Sequence, residues 1–465
     1  METVDGKPFL IVDIPKGEVS KKQNCAVAAL DVEAIKGSLF SVSVKVRGKD
    51  VTEPSQRHNG VKCMVHYVKD DGSSTWPGAS IPRGTFDWRN TGLLFWMPPN
   101  VTKAVLLLGL QDSAGHVEYD LSTLRCVSSS LAEDNYIVKY PERVQNTPPL
   151  RGVMSPRPER FKPSDLTKLA EWNVNLVRFQ ICRHWAQIGS DTDIEEYDNW
   201  FHKCLDSLDA LLPDAQKLGI QFIIDLHWPV GGRVESNEMR IFYEKKYRDH
   251  FIELWKEIAA RYKGKSAIWA YDIINEPKNF QLLPVGYWEV QKMTAEAIRA
   301  IDPDTPIVIE SNMAANPTTF SYLPSLPMDN IIYQAHMYYP GQFTHQGVFG
   351  SPTNVAYPGV IGSVTFDRAE LKKYLEPVRA FQLKHKCRIY IGEFSAATWA
   401  PGAEKYLADC ISIFEEYGWD WTYHAFRESP VWSLEHEGPD RKHIVPSKDN
   451  PRLRVMKAAW AKNQK

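Results

Sequence analysis

The chain has 465 residues, of which 24% are charged, and a formal net charge of -2. That length exceeds one ordinary domain and predicts two. The near-balance of charge argues against a nucleic-acid partner or an anionic membrane surface, and no apolar run approaches the ~18 residues of a membrane span. Aromatic content is 12%, with 15 Trp, a residue used both to fill cores and as a flat surface for sugar rings. The seven cysteines are dispersed, without CxxC or metal-ligand spacing, which predicts buried free thiols with one disulfide at most. Met1-Glu2-Thr3-Val4 opens no signal-peptide pattern. The chain is therefore expected either to be secreted or periplasmic with its leader preceding this sequence, or to be cytoplasmic.

Residues 1–130 read as all-β. Apolar or alternating stretches recur at Phe9–Val12, Leu39–Val46, Lys62–Val68 and Ala104–Leu110, separated by turn signals at Asp70-Asp71-Gly72, Pro98-Pro99-Asn100 and Ala114-Gly115. No long amphipathic helix intervenes, which predicts a β-sandwich. The succession Thr85–Trp88, Phe95–Pro98, Leu106–Leu110 and Val117–Asp120 resembles the jelly-roll, carbohydrate-binding-like modules that accompany many polysaccharide-degrading enzymes. Trp76, Trp88 and Trp96 could line a sugar groove, but Trp88 and Trp96 fit core positions equally well. A structural role for this region is favoured over a binding one. Residues 131–147 read as a polar, Pro-bearing linker.

From residue 148 to 465 strands alternate with helices. Strands are predicted at 150–154, 174–181, 220–227, 268–275, 306–310, 331–337, 388–393 and 418–426. Helices are predicted at 164–172, 198–218, 241–262, 286–301, 367–385 and 402–416, with Ser164 and Asp198 as N-caps and Gly219 and Gly264 just past helix ends. The fold class is α/β, a (β/α)₈ TIM barrel preceded by the β-sandwich. A doubly wound open sheet is the alternative, but no Gly-rich phosphate loop follows Arg151–Met154.

Chemistry gathers at the carboxyl ends of barrel strands. There the chain offers Arg178, then His227-Trp228, then Asn275-Glu276 before the structure-breaking Pro277, then His336 and Tyr338 on one face, then Glu393. Two strand-end glutamates suit double-displacement glycoside hydrolysis, which needs paired carboxyl groups. Nothing forms a metal triad, and no Ser sits in a G-x-S-x-G elbow.

These motifs, namely Asn275-Glu276-Pro277, Gly392-Glu393-Phe394, His336-Met337-Tyr338, Asp225-Leu226-His227-Trp228 and Val177-Arg178, resemble glycoside hydrolase family 5, the cellulase-like retaining glycosidases, over roughly residues 148–460. The resemblance implies Glu276 as acid/base and Glu393 as nucleophile, with no metal or organic cofactor. Physical roles agree. Glu276 must hold a proton for the leaving oxygen, and Glu393 must stay ionised to attack. Arg178 and Tyr338 are the natural partners of that charge, Asn275 would bind the sugar 2-hydroxyl, and His227 and His336 would hold substrate hydroxyls. Many family members end strand eight on a Trp that lies under the sugar. Here His424 is close to that position, and Trp432 or Trp399 could supply the platform. The Asp225–Gly232 loop and residues 340–364 are expected to wall the cleft.

The expected activity is retaining hydrolysis of O-glycosidic bonds in plant cell-wall polysaccharide, β-glucan or hemicellulose, by a monomer. An exo-acting glycosidase releasing a terminal arabinofuranose or galactofuranose, and a carbohydrate-binding protein without turnover, are the alternatives.

Overall fold

The computed structural model describes residues 2–4, 6–19, 23–56, 58–131, 134–183, 189–348 and 353–463; residues 349–352 of the expected cleft wall thus lie outside it. The chain divides into two compact units. One comprises Met1–Glu133 with Arg233–Glu238 and Lys278–Gly286, the other Asp134–Gly232, Met239–Pro277 and Tyr287–Lys465.

The first unit is a sandwich of two antiparallel sheets. One sheet runs Glu2–Val4, Lys7–Ile14, Gly115–Ser130, Ser38–Val51, Gly84–Met97; the other runs Gln23–Ala29, Val101–Gln111, Gly60–Lys69, Ser74–Thr75. Alternation explains the packing. Phe40, Val42, Val44 and Val46 point inward against Val65, Leu106, Leu108 and Leu110 of the facing sheet, while Lys45 and Arg47 are exposed. Tyr119 is fully buried, and its hydroxyl is 2.7 Å from the Lys62 carbonyl and 2.9 Å from that of Gly109. Residues 84–97 form one strand rather than two pieces, because Arg89–Gly92 pairs with Ser43–Val46 in the ladder. Trp88 and Trp96 are half-buried, and Trp88 meets Phe9 and the Arg47 guanidinium. Trp76 is 46% exposed and stacks on His66.

The second unit is a closed parallel barrel of eight strands among the described residues: β1 (Arg151–Met154), β2 (Leu176–Gln180), β3 (Gln221–Asp225), β4 (Ile268–Asp272), β5 (Ile307–Glu310), β6 (Ile331–Met337), β7 (Arg388–Phe394) and β8 (Asp420–Tyr423). All eight are almost wholly buried, as expected of a parallel sheet covered by helices. Those helices are α1 (Pro163–Glu171), α2 (Ile194–Leu218), α3 (Lys245–Tyr262), α4 (Tyr287–Ile301), α5 (Arg368–Tyr374), α6 (Glu376–His385), α7 (Ala403–Tyr417) and α8 (Pro451–Trp460). A Cβ on Gly152 would lie 1.9 Å from the Leu176 carbonyl oxygen, so β1 and β2 approach closely only because that residue is glycine.

Several helix ends differ from those expected. α2 starts earlier, with Asp193 rather than Asp198 accepting the first amide, from Glu196. The N-cap of α1 is Lys162, with Pro163 at the first position in place of the expected Ser164 cap. The expected helix over 367–385 divides at Leu375, since Pro377 has no N–H to continue it. After β5 there is no full helix, only a short turn at Asn312–Ala315 and a 3₁₀ segment at Pro317–Ser321.

Residues 134–149 cover the amino-terminal end of the barrel. Tyr140 donates to the Ile331 carbonyl and accepts from the Arg388 amide, and Val144 joins Leu150, Leu176, Ile223, Trp269, Val308 and Ile332 in one apolar cluster. Every cysteine is a free thiol; Cys63, Cys182, Cys204, Cys387 and Cys410 are buried and Cys126 is exposed. No described helix is long and apolar enough to cross a membrane.

Candidate active site

Arg178 organises the carboxyl end of the barrel. It rises from β2, is fully buried, and spreads its guanidinium over four strands' worth of acceptors. Nε donates to Asp272 Oδ2 at 2.8 Å and Nη1 to Glu393 Oε1 at 2.8 Å. Nη2 reaches Glu310 Oε1 at 3.0 Å, Asn275 Oδ1 at 3.1 Å and Asp225 Oδ2 at 3.3 Å. Only a planar fork with five N–H groups can serve so many oxygens at once.

β4 ends at Asp272, short of the motif that carries Glu276. Ile273–Pro277 leaves the ladder, and Glu276 adopts φ +49, a left-handed backbone that costs a non-glycine residue about 1–2 kcal/mol. Three groups hold it there. The Glu276 amide donates to Glu310 Oε2 at 2.7 Å, the Ala314 amide donates to the Pro277 carbonyl at 3.0 Å, and Trp255 Nε1 donates to the Ile273 carbonyl at 3.0 Å. Ala314 itself sits in a run of left-handed residues, Met313 to Ala315 with φ between 53 and 64, so strain is concentrated on both sides of this contact.

On the facing side the β6–β7 ladder slips by one residue after Ala335, so that His336 pairs with Glu393. His336 Nδ1 then lies 3.2 Å from Glu276 Oε1 and 3.7 Å from Glu393 Oε2. Glu276, His336 and Glu393 each present an atom within 4.8 Å of the others, the one group among the described residues close enough to hold a cation. Within the trio His336 and Glu276 are hydrogen-bonded, while Glu393 takes a hydrogen bond from Arg178. The two glutamates differ in surroundings: the Glu276 side chain is 29% exposed, that of Glu393 only 7%.

The charges follow from these positions. Burial alone would raise the Glu393 carboxyl, but the imidazoles of His336 and His424, then Arg178 and His227, outweigh it and hold it well below the usual carboxylate range. Tyr338 donates to Glu393 Oε2 at 2.8 Å, and burial and that carboxylate push its phenol far up. Beneath the site, burial raises Asp272 to about 7 against the pull of Arg178, with Asp225 adding to the rise. Burial and Asp272 likewise push Glu310 well above its ordinary value.

His227 Nδ1 meets Asp225 Oδ2 at 2.7 Å and its Nε2 meets the Asn275 amide nitrogen at 3.1 Å, which assigns the ring proton to Nδ1. Arg178, His227, Asn275, Glu276, His336, Tyr338 and Glu393 therefore form one connected constellation. Trp432 stands at its edge, 3% exposed, with its ring 5.1 Å from His345 and 5.8 Å from His424. Trp399 is buried, its Nε1 donating to the Gln346 carbonyl at 3.0 Å.

At the end of β8, His424 pairs with Glu428 at 2.8 Å and lies 6.1 Å from the Tyr338 ring. Burial opposes its charge, but Glu428 and Glu393 raise it to about 9. Neighbouring His345 goes the other way, lowered to about 4 by burial with the help of His424. Sequence reasoning did not single out Asp272, Glu310, Gln334, His345 or Glu428. For Glu310 a signal existed, since Ile307–Glu310 is another apolar strand closing on Glu.

The family model Cellulase (glycosyl hydrolase family 5) matches residues 148–429. Cellodextrinase A of Ruminococcus flavefaciens is 27% identical over 269 residues, covering 55% of this chain and 76% of that protein. Endoglucanase C of Acetivibrio thermocellus is 26% identical over 294 residues, covering 56% and 82%. The structure of endoglucanase Cel5A from Thermotoga maritima superposes with a TM-score of 0.52 at 23% identity, covering 66% of this chain and 96% of that one, a likeness of fold.

Proposed function

Since the chain belongs to glycosyl hydrolase family 5, a family of retaining enzymes, we propose that it hydrolyses β-glucan or hemicellulose of plant cell walls through a covalent glycosyl-enzyme on Glu393. The observation that carries this reading is that one carboxylate oxygen of Glu276 and one of Glu393 lie within 4.8 Å of each other beside His336. Direct attack by a carboxylate needs the pair about 5–5.5 Å apart, whereas a water between them needs more. Glu393, ionised and held by Arg178 and Tyr338, attacks the anomeric carbon. Glu276, the more open of the two, protonates the departing oxygen and then deprotonates the water that releases the sugar. The names of the cellodextrinase and endoglucanase relatives favour a β-glucan.

A second reading has its own support. The His424–Glu428 ion pair stands at the end of β8, where many family members carry the sugar-facing Trp. A carboxylate and an imidazolium suit the hydroxyls of a terminal sugar, which favours exo action.

The test is wild type against Glu393→Ala on polysaccharides and aryl glycosides, with azide added. Turnover lost in the variant and partly restored as an inverted glycosyl azide supports the nucleophile and names the sugar. Full activity in Glu393→Ala removes the assignment. Release of single sugars without loss of polymer viscosity selects exo action.

A further inference from the structure

We propose that Glu310 is a positioning residue for the acid/base carboxyl of Glu276, holding it by two arms. The proposal rests on the acid/base reading of Glu276. One arm is the main-chain bond, Glu276 N–H to Glu310 Oε2 at 2.7 Å. The other runs through side chains. The Gln334 amide nitrogen donates to Glu310 Oε1 and lies 3.4 Å from His336 Nε2, which leaves His336 Nδ1–H facing Glu276 Oε1 at 3.2 Å. Glu310, Gln334, His336 and Glu276 thereby close a ring that fixes both the backbone and the carboxyl of one residue.

The surroundings are built to hold Glu310 itself. Gln291 of α4 donates to the Glu310 carbonyl at 3.0 Å and accepts from its amide at 2.8 Å, so this residue's main chain is clamped on both polar groups. Gly392 keeps the space open, since a Cβ there would lie 2.6 Å from the Gln334 amide. The strained turn Met313–Ala315 begins three residues after Glu310 and bonds back to Pro277, next to Glu276. A left-handed acid/base residue persists only where its neighbours over-determine it, and Glu310 is the neighbour that takes its amide.

Glu310 accepts on both of its carboxyl oxygens, from the Glu276 amide on one and from Gln334 and Arg178 on the other. The groups facing it are Arg178 from β2, Asp225 from β3, Asp272 from β4, and Gln334 and His336 from β6; Glu393 shares the same guanidinium. One guanidinium cannot balance four buried carboxylates. Asp225 Oδ1, Asp272 Oδ1 and Gln334 Oε1 are buried acceptors without a hydrogen-bond partner. Burial and Asp272 push the Glu310 carboxyl well above its ordinary value, against the pull of Arg178. Gln, of the same shape, keeps an acceptor for only one arm and sets an NH2 group against the donor of the other, so it should fall between wild type and Ala.

The test uses two aryl glycosides of whichever sugar the wild type cleaves: phenyl, whose departure needs a proton, and 2,4-dinitrophenyl, whose departure does not. For Glu310→Ala we expect kcat/KM on the phenyl glycoside to fall about 100-fold, the scale of a misplaced catalytic group, and on the dinitrophenyl glycoside less than about 10-fold. Glu310→Gln keeps one accepting oxygen, so its phenyl rate should lie between those of wild type and Glu310→Ala, with the same split between the two substrates. Gln334→Leu cuts only the side-chain arm and should show the same split, less steeply, so the proposal stays testable if Glu310→Ala does not fold. Equal losses on both substrates, or none, in the folded variants would overturn it and leave Glu310 a structural residue. Glu276→Ala is the separate control. If that variant shows no split and no retained glycosyl azide, the acid/base reading itself fails, and the positioning role falls with it.

Discussion

The Tyr338 hydroxyl donates to Glu393 Oε2 while the oxygen on the other side of the same carboxylate receives Arg178, each at 2.8 Å. The Glu393 carboxylate is thus held at both of its oxygens. Removing the hydroxyl with Tyr338→Phe deletes one hydrogen bond to a charged group, about 1.5–3 kcal/mol. Activity should fall about 10- to 100-fold, read as kcat/KM, with the melting temperature lowered by no more than a few degrees. An unaltered rate would mean that Arg178 alone orients the carboxylate.

Arg178 should matter to stability as much as to turnover. Replacing it with Met would leave Asp225, Asp272, Glu310 and Glu393 without their common cation, a loss of about 3–5 kcal/mol for a broken buried pair. Lys should not rescue it, since an ammonium cannot serve oxygens on four strands. Denaturant unfolding of the two variants checks this, and a Lys variant as stable as wild type would contradict it.

Asp272 predicts a pH signature. Its folded value is raised to about 7, above the roughly 3.9 of an unfolded Asp, so its neutral form is the one that fits. The stability this provides is fully present below about pH 4 and is lost as pH rises towards 7. Asp272→Asn cannot ionise and should flatten that decline. Melting temperatures at pH 5 and 7.5 should fall less in the variant than in wild type, and parallel falls would mean that Asp272 is ionised throughout.

His424 offers a direct titration. With Glu428 beside it, the imidazole loses its proton only near 9. In Glu428→Gln the midpoint should drop by about 1–3 units, the usual effect of one adjacent opposite charge. Histidine NMR titration, with His424→Asn to assign the signal, gives the answer, and an unmoved midpoint would credit Glu393 instead.

Much of the barrel and its mouth could be read from residue order alone. A strand that runs on into Asn275-Glu276-Pro277 and another that ends on Gly392-Glu393-Phe394 must bring these glutamates to one end of the barrel once the sheet closes. The layer below was harder to see. Asp272 looks like one polar residue within an apolar strand, and its meaning depends on Arg178 reaching it from two strands away. Gln334 looks like an ordinary strand residue until Gly392 on β7 makes room for its amide. Such relationships run across the barrel, perpendicular to the chain, where periodicity carries no information. Helix starts were misplaced for a more local reason: Asp193 and Asp198 are both credible caps, and only the course of the incoming chain chooses between them.

The free thiols give the molecule a set of internal gauges. Cys63 lies inside the sandwich, and Cys182, Cys204, Cys387 and Cys410 lie inside the barrel unit; all five are shielded, while Cys126 is open to solvent. A thiol reagent should label Cys126 first and half-buried Cys25 after it, and reach each of the five buried thiols only when its surroundings open. The rates at which they then react would rank the two units, and regions within the barrel, by the free energy of local opening, with no foreign probe attached to the chain.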